Sequence, residues 1–254
     1  MGLKKRIIPI LLLSGDRLVK TVSFEGGRVV GRPVRNAQVL SHQRADELVL
    51  LNIDEGDDFV QSSLPRVVSD LAAVCFVPLA VGGGIRSVED AERVFRSGGD
   101  KVILNSVLYR APSIINEIAS RYGAQSVVAS VDFRMSRDGP VCVSDRGRVT
   151  ESVSFEDHLR FLNQANIGEV LLQSVDRDGR REGLDARSVQ VARSLIKHPL
   201  IVGGGIGTLE HLREGLVDLD ADAVAVGSLF NFSDVNPIRA NAYLRQHGVP
   251  MTVV

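Results

Sequence analysis

Val81-Gly82-Gly83-Gly84-Ile85 occurs a second time, letter for letter, as Val202-Gly203-Gly204-Gly205-Ile206, 121 residues further on. Other segments keep nearly the same offset: Val49-Leu50-Leu51-Asn52 answers Val170-Leu171-Leu172-Gln173 at 121, and Arg6 to Leu13 answers Ser126 to Phe133 at 120. The chain therefore reads as one domain, 1–254, made of two similar halves of about 1–121 and 122–254. Each glycine run follows a short apolar segment and precedes a helix signal with a Ser or Thr cap. Backbone without Cβ atoms lets N–H groups close on an anion at such a helix start. Two cradles, at Gly83-Gly84 and Gly204-Gly205, predict a ligand with a phosphate at each end.

Outward from these runs, apolar stretches that read as strands recur at about 6–13, 47–53, 77–81, 101–105, 126–132, 169–174, 199–203 and 222–227. They are continuous rather than alternating, which is the pattern of a parallel sheet covered on its outer face. Helix signals fill most intervals. Ser87-Val88-Glu89-Asp90 is a capping box opening a helix over 88–96, Pro112 suits a first helical turn, Ser63 before Pro65 starts another, and 154–164 carries apolar residues at three-to-four spacing. Eight such units in two equal halves predict a closed, single (β/α)8 TIM barrel rather than an open doubly wound sheet, and 254 residues is an ordinary length for one.

Composition narrows the partners. A formal net charge of −1 and a pI near 6.5 give no global attraction to nucleic acid or to an anionic membrane, so any anion must be held locally. Cys75 and Cys142 lack metal-ligand spacing, which favours a reduced, cytoplasmic protein. The five histidines do not converge, so neither metal nor other cofactor is expected, and no Gly-x-Ser-x-Gly nucleophile motif occurs. The basic, apolar N-terminus has the look of a leader peptide, but its internal match identifies it as the first strand.

Residues two apart on a strand share a face, so Arg6, Ile8, Ile10 and Leu12 point one way, as do Glu47, Val49 and Leu51, Lys101, Ile103 and Asn105, and Glu169, Leu171 and Gln173. With the aliphatics facing inward, Arg6, Glu47, Lys101 and Glu169 form a charged ring at the N-terminal entrance. Two charges of each sign can pair. Spacing alone favours a structural plug over a gate on a channel. At the other end the inward positions are Leu12, Asn105, Asp132 and Gln173, of which Asp132 alone carries a carboxylate; in a half-enclosed mouth its pKa rises towards the range of a working acid or base. Asp176-Arg177-Asp178-Gly179 offers acceptors for sugar hydroxyls, and Val226-Gly227-Ser228 is a small-residue turn where such barrels hold phosphate. Two long connections, 14–35 and 134–151, the latter with a hairpin at Asp145-Arg146-Gly147, follow strand ends on this same face and read as lids or binding loops.

The sequence resembles, over essentially its whole length, the family of the cyclase subunit of imidazole glycerol phosphate synthase, HisF. KRIIP at 5–9, RLVKTVSFE at 17–25, DELVLLNID at 46–54, GGDKVILNS at 98–106, GAQSVV at 123–128, GEVLLQSVDRDG at 168–179, GGGIGTLEH at 203–211 and VGSLFNF at 226–232 fall in that family's order and spacing. The resemblance implies a glutaminase (HisH-like) docked at the N-terminal face, ammonia passed through the barrel, and a bis-phosphorylated ribulosyl substrate cleaved and cyclised at the mouth. It makes Arg6, Glu47, Lys101 and Glu169 an ammonia gate, which reverses the preference for a plug, and puts Asp100 at the glutaminase contact. Phosphate and substrate contacts fall on Lys20, Gly83, Gly84, Asn105, Gln173, Asp178, Gly179, Gly204, Gly205, Gly227 and Ser228, with Asp132 catalytic.

One departure outweighs these agreements. Where the family carries an essential aspartate at the end of strand 1, this chain reads Ile10-Leu11-Leu12-Leu13, and leucine cannot exchange a proton. Asp16, in the next loop, is no substitute, and Asn52 replaces the aspartate usual on strand 2. Loss of the cyclase carboxylate with the gate and both cradles kept is similar to the HisF-like proteins of surface-polysaccharide clusters. Those carry a RIIPxLLL first strand followed by LVKT, and the resemblance implies work with a glutaminase and a sugar amidotransferase to form acetamidino groups. A genuine cyclase of histidine biosynthesis and a non-catalytic ammonia conduit are the alternatives. Residue 12 separates the first two, and turnover of any substrate separates the third. The isomerase relative, HisA, shares the fold and double phosphate sites, but the four-charge ring argues against it.

Overall fold

The computed structural model describes residues 4–54 and 64–251. Eight parallel strands close on one another: β1 (Arg6–Ser14), β4 (Leu48–Asn52), β5 (Leu79–Gly82), β6 (Lys101–Leu104), β7 (Val127–Ser136), β10 (Glu169–Ser174), β11 (Leu200–Gly203) and β12 (Ala223–Val226). They pair in that order, and β12 returns to β1 while β10 pairs with β7, so among the described residues the barrel leaves no open edge. This is the predicted (β/α)8 barrel. Helices α1 (Pro33–His42), α2 (Leu64–Ala72), α3 (Val88–Arg96), α4 (Ser106–Arg110), α5 (Ile114–Tyr122), α6 (Phe155–Gln164), α7 (Ala186–Leu195), α8 (Leu209–Arg213), α9 (Ser228–Phe232) and α10 (Pro237–Gln246) cover it. The expected helix start at Ser63 lies outside the described residues.

Alternate residues of each strand divide between two cores. Ile7, Leu11, Leu13, Leu48 and Leu50 point outward into the large layer shared with the helices, whereas Ile8, Ile10, Val49, Ile103, Val128 and Leu171 fill the bore, with Leu12 and Leu51 closing it towards the mouth. The two-residue period read from the sequence therefore sorts the side chains as expected.

The half-chain correspondence extends to backbone detail. Ser87 and Thr208, 121 apart, cap their helices at φ −137°, ψ 166° and φ −139°, ψ 165°, each accepting the N–H three residues on. Asn105 and Gly227, at φ −129°, ψ −88° and φ −111°, ψ −79°, share an unusual turn into α4 and α9. Below the strands, Asp100 accepts the N–H of Leu79 and Asp222 that of Leu200, each at 2.8 Å.

Two departures from expectation concern the connections. The 14–35 stretch is a pair of antiparallel strands, β2 (Arg17–Val22) and β3 (Glu25–Gly31), with β2 hydrogen-bonded to the end of β1. Its arm reaches the helix that follows β12, the strand beside β1, where the Arg28 guanidinium sits 5.3 Å from the Phe232 ring centre. Pro112 precedes rather than opens its helix, which starts at Ile114 behind Ser113. The other long connection is the expected hairpin: β8 (Gly139–Ser144) and β9 (Val149–Ser154) turn through Asp145, Arg146 and Gly147, all at positive φ.

Candidate functional site

At the N-terminal end, Arg6, Lys101 and Glu169 are the first residues of β1, β6 and β10, and Glu47 immediately precedes β4. Their side chains form a closed circuit. Arg6 donates to Glu47 Oε2 at 3.0 Å and Glu169 Oε1 at 2.6 Å, while Lys101 Nζ lies 3.0 and 2.9 Å from the Glu47 oxygens and 3.0 Å from Glu169 Oε2. Burial opposes ionisation of Glu169, yet Arg6 and Lys101 hold its carboxyl below the usual range; for Glu47 burial wins and the pKa moves up, with Glu169 adding to it. The sequence-predicted ring is thus present as four mutually paired charges, a set that would be costly to bury unpaired.

At the other end, a cavity of about 920 Å³ opens at the strand C-termini. Leu12, Asn105, Asp132 and Gln173 all face it, as do Lys20, Gly83, Gly84, Asp178, Gly179, Gly204, Gly205, Gly227 and Ser228. Burial drives the Asp132 carboxyl up to about 7, with Asp178 adding to the rise and the Ser130 hydroxyl, donating at 3.2 Å, opposing it. A carboxyl poised there exchanges protons near neutral pH, as general acid–base chemistry needs. Leu12 contributes only aliphatic surface to the same mouth.

Asp132 is not the sole carboxylate of the mouth: Asp54 and Asp145 also line it, and Asp178 reaches it from the loop after β10. Its oxygens accept from Thr21 Oγ1 at 3.1 Å and Gln173 Nε2 at 3.3 Å, and burial raises its pKa against the pull of Lys20. Asp176, two residues earlier, is engaged elsewhere, accepting the Met135 N–H at 2.7 Å and pairing with Arg134. Because the Gln173 amide nitrogen faces the Asp178 carboxylate, its Oε1 is turned away and has no hydrogen-bond partner among the described residues.

The two glycine runs are built alike. Gly83 (φ 90°) presses on the Asn52 carbonyl and Gly204 (φ 89°) on that of Ser174, so a Cβ at either would overlap backbone oxygen. Each run must therefore be glycine to bring its N–H groups to the cavity wall. Gly227 makes room for a side chain instead: a Cβ there would lie 2.6 Å from Lys20 Nζ and displace that amine. Lys20 is buried, donates to the Ile10 carbonyl at 2.6 Å, and is held down to about 8 by burial, against the pull of Asp178.

Sequence reasoning missed Thr21, Asp54 and Arg146. Asp54 accepts from Ser14 Oγ at 2.8 Å and the Gly15 N–H at 2.6 Å, and Arg146 donates to the Asp54 carbonyl, which ties three loops of the mouth together. Parity gave no help, since Asp54 falls in step with Leu48, Leu50 and Asn52 and not with the inward Val49 and Leu51. Asp16, dismissed as a replacement acid, is exposed and pairs with Arg17. Asp100, expected at a glutaminase contact, spends one oxygen on the Leu79 N–H and is otherwise exposed. Among the described residues no group of three or more His, Cys, Asp or Glu side chains could hold a metal, and no helix is long and apolar enough to cross a membrane.

Residues 6–236 match the family described as "Histidine biosynthesis protein". The chain is 36% identical over 249 residues, 98% of its own length and 99% of the relative's, to "Imidazole glycerol phosphate synthase subunit HisF" of Chlorobium limicola (strain DSM 245 / NBRC 103803 / 6330).

Proposed function

The chain belongs to the histidine biosynthesis protein family, and on that premise we propose that it is a HisF-like, ammonia-dependent synthase subunit whose chemistry is no longer the cyclisation of histidine biosynthesis. A glutaminase docks against the N-terminal face, ammonia passes the Arg6, Glu47, Lys101 and Glu169 ring into the aliphatic bore, and it reaches an acceptor in the mouth. The acceptor is anionic at two points, held by Gly83-Gly84 and by Gly204-Gly205 with Gly227-Ser228. Transfer of the nitrogen forms an amidine-type group on a surface sugar, with a sugar amidotransferase as further partner. Asp132 is the acid or base of the mouth, and Asn105, Gln173, Asp178 and Gly179 position the substrate.

Leu12 carries this reading. It stands at the mouth where the family's reaction calls for a second acid–base carboxylate, while ring, bore and both glycine runs are retained. Neutral ammonia crosses an aliphatic bore far more readily than ammonium does, so the ring suits the selection of the neutral form. The test is genetic and direct: the gene is introduced into a histidine-requiring strain lacking its cyclase. No growth is expected, and full complementation overturns the proposal. Asp178, a further carboxylate in the same mouth, and the 36% identity to the Chlorobium limicola subunit favour the genuine cyclase, and the same experiment decides between the two.

A further inference from the structure

Lys20 stands apart from the other lysines. The chain has five: Lys4 and Lys197 are exposed, Lys5 pairs with Asp220, and Lys101 belongs to the charged ring. Lys20 alone lines the mouth, only 8% exposed, with its amine seated between the Ile10 carbonyl on β1 and the bare Cα of Gly227 beyond β12. An ammonium has three donors, and the Ile10 carbonyl takes one of them. Leucine at position 12 keeps this part of the wall apolar, which disfavours the charged amine.

We propose that Lys20 is an imine-forming lysine whose amine condenses with the carbonyl of a small phosphorylated aldehyde or ketone held in the mouth. The phosphate requirement rests on the function proposed above; the reactivity of the amine does not. The neutral amine adds its lone pair to the carbonyl carbon, and the C=O π pair moves onto oxygen. The two hydrogens of the amine then leave with that oxygen as water, and a C=N bond remains. Condensation needs no oxidant or reductant, and water reverses it. Burial favours the neutral amine here, since an ammonium held down to about 8 is deprotonated in roughly a tenth of molecules at pH 7. Desolvated lysines of this kind are the ones that form Schiff bases with carbonyl substrates.

The full-length protein is incubated with pyridoxal 5′-phosphate, reduced with sodium borohydride, which traps the imine as a stable secondary amine, and mapped by peptide mass spectrometry. Lys20 is expected to be labelled at least about tenfold faster than Lys4, Lys5 and Lys197, as its larger neutral fraction dictates. Inorganic phosphate should slow that labelling, pyridoxal lacking the phosphate should label Lys20 more slowly, and Lys20→Met should abolish the fast phase. Labelling of Lys20 no faster than the surface lysines overturns the imine. Equal labelling by pyridoxal and its phosphate overturns the phosphate requirement. A calorimetric titration with inorganic phosphate keeps the two readings apart: phosphate binding without Lys20 labelling sinks the imine and leaves the anion sites standing.

Discussion

Lys101 Nζ and Glu169 Oε2 meet at 3.0 Å inside a circuit in which each also holds another partner, Lys101 the Glu47 carboxylate and Glu169 the Arg6 guanidinium. Removal of any member leaves two like charges sharing a single partner. Lys101→Met leaves two buried carboxylates sharing one arginine, and the expected cost is about 3–5 kcal/mol in urea unfolding, as for other broken buried pairs. Functionally, a gate predicts that glutamine-dependent synthesis in the complex falls further than synthesis from added ammonium. Equal losses in the two assays would return the ring to the status of a plug.

Asp132 makes stability depend on pH in a definite direction. Its carboxyl sits at about 7 when folded against an ordinary 3.8, so the native state holds a proton that the unfolded chain has released. The sign follows: this group's contribution to stability falls as pH rises from about 4 to 7 and is level above that. Asp132→Asn removes the buried charge, so the variant should gain on the wild type across that window, by up to about 4 kcal/mol at pH 8, while losing turnover. Urea unfolding at pH 5 and pH 8 checks it, and an advantage that shrinks with pH contradicts the assignment.

The glycines separate into those that shape the mouth and those that only turn the chain. Gly83→Ala and Gly204→Ala drive a Cβ into the carbonyl of Asn52 or Ser174 at a φ near 90°, and each should lose more than about 2 kcal/mol because rigid backbone must move. Gly15→Ala, at φ 57° with nothing within 4 Å, should cost only about 1 kcal/mol, the ordinary left-handed penalty. Equal unfolding midpoints for Gly15→Ala and Gly204→Ala would show that the second run is not packed as described.

Particular residues explain which features were legible in the sequence. The barrel was readable because strand period and helix caps are local: Ser87 and Thr208 do what their neighbours in the chain predict. The Asp145-Arg146-Gly147 hairpin carried the turn residues that tolerate positive φ. The β2–β3 hairpin did not, since Ser23 and Phe24 take φ 52° and 65° without Gly or Asn, so nothing local announced the turn. Nor could spacing tell Asp178 from Asp176. Which one enters the mouth depends on Thr21 and Gln173, brought to it by β2 and β10.

Leu12 supplies the sharpest test of what the mouth has become. As a cyclase lacking one of two acid–base carboxylates, the unmodified protein with ammonium should form imidazole glycerol phosphate about 10² to 10⁴-fold below an ordinary turnover of about 10 per second. Leu12→Asp places a carboxylate on the inward face of β1, in the same mouth as Asp132 and Asp178. Like charges in one half-buried site push pKa values up, so the variant should be less stable than the wild type at pH 8 and recover as pH falls. If the remaining geometry is still that of a cyclase, the same variant should gain at least about tenfold in cyclase turnover, part of what a positioned acid or base is worth. A wild type that already turns over at the ordinary rate, and that Leu12→Asp only slows, would mean that Asp132 and Asp178 suffice for cyclisation and that the chain is a genuine cyclase.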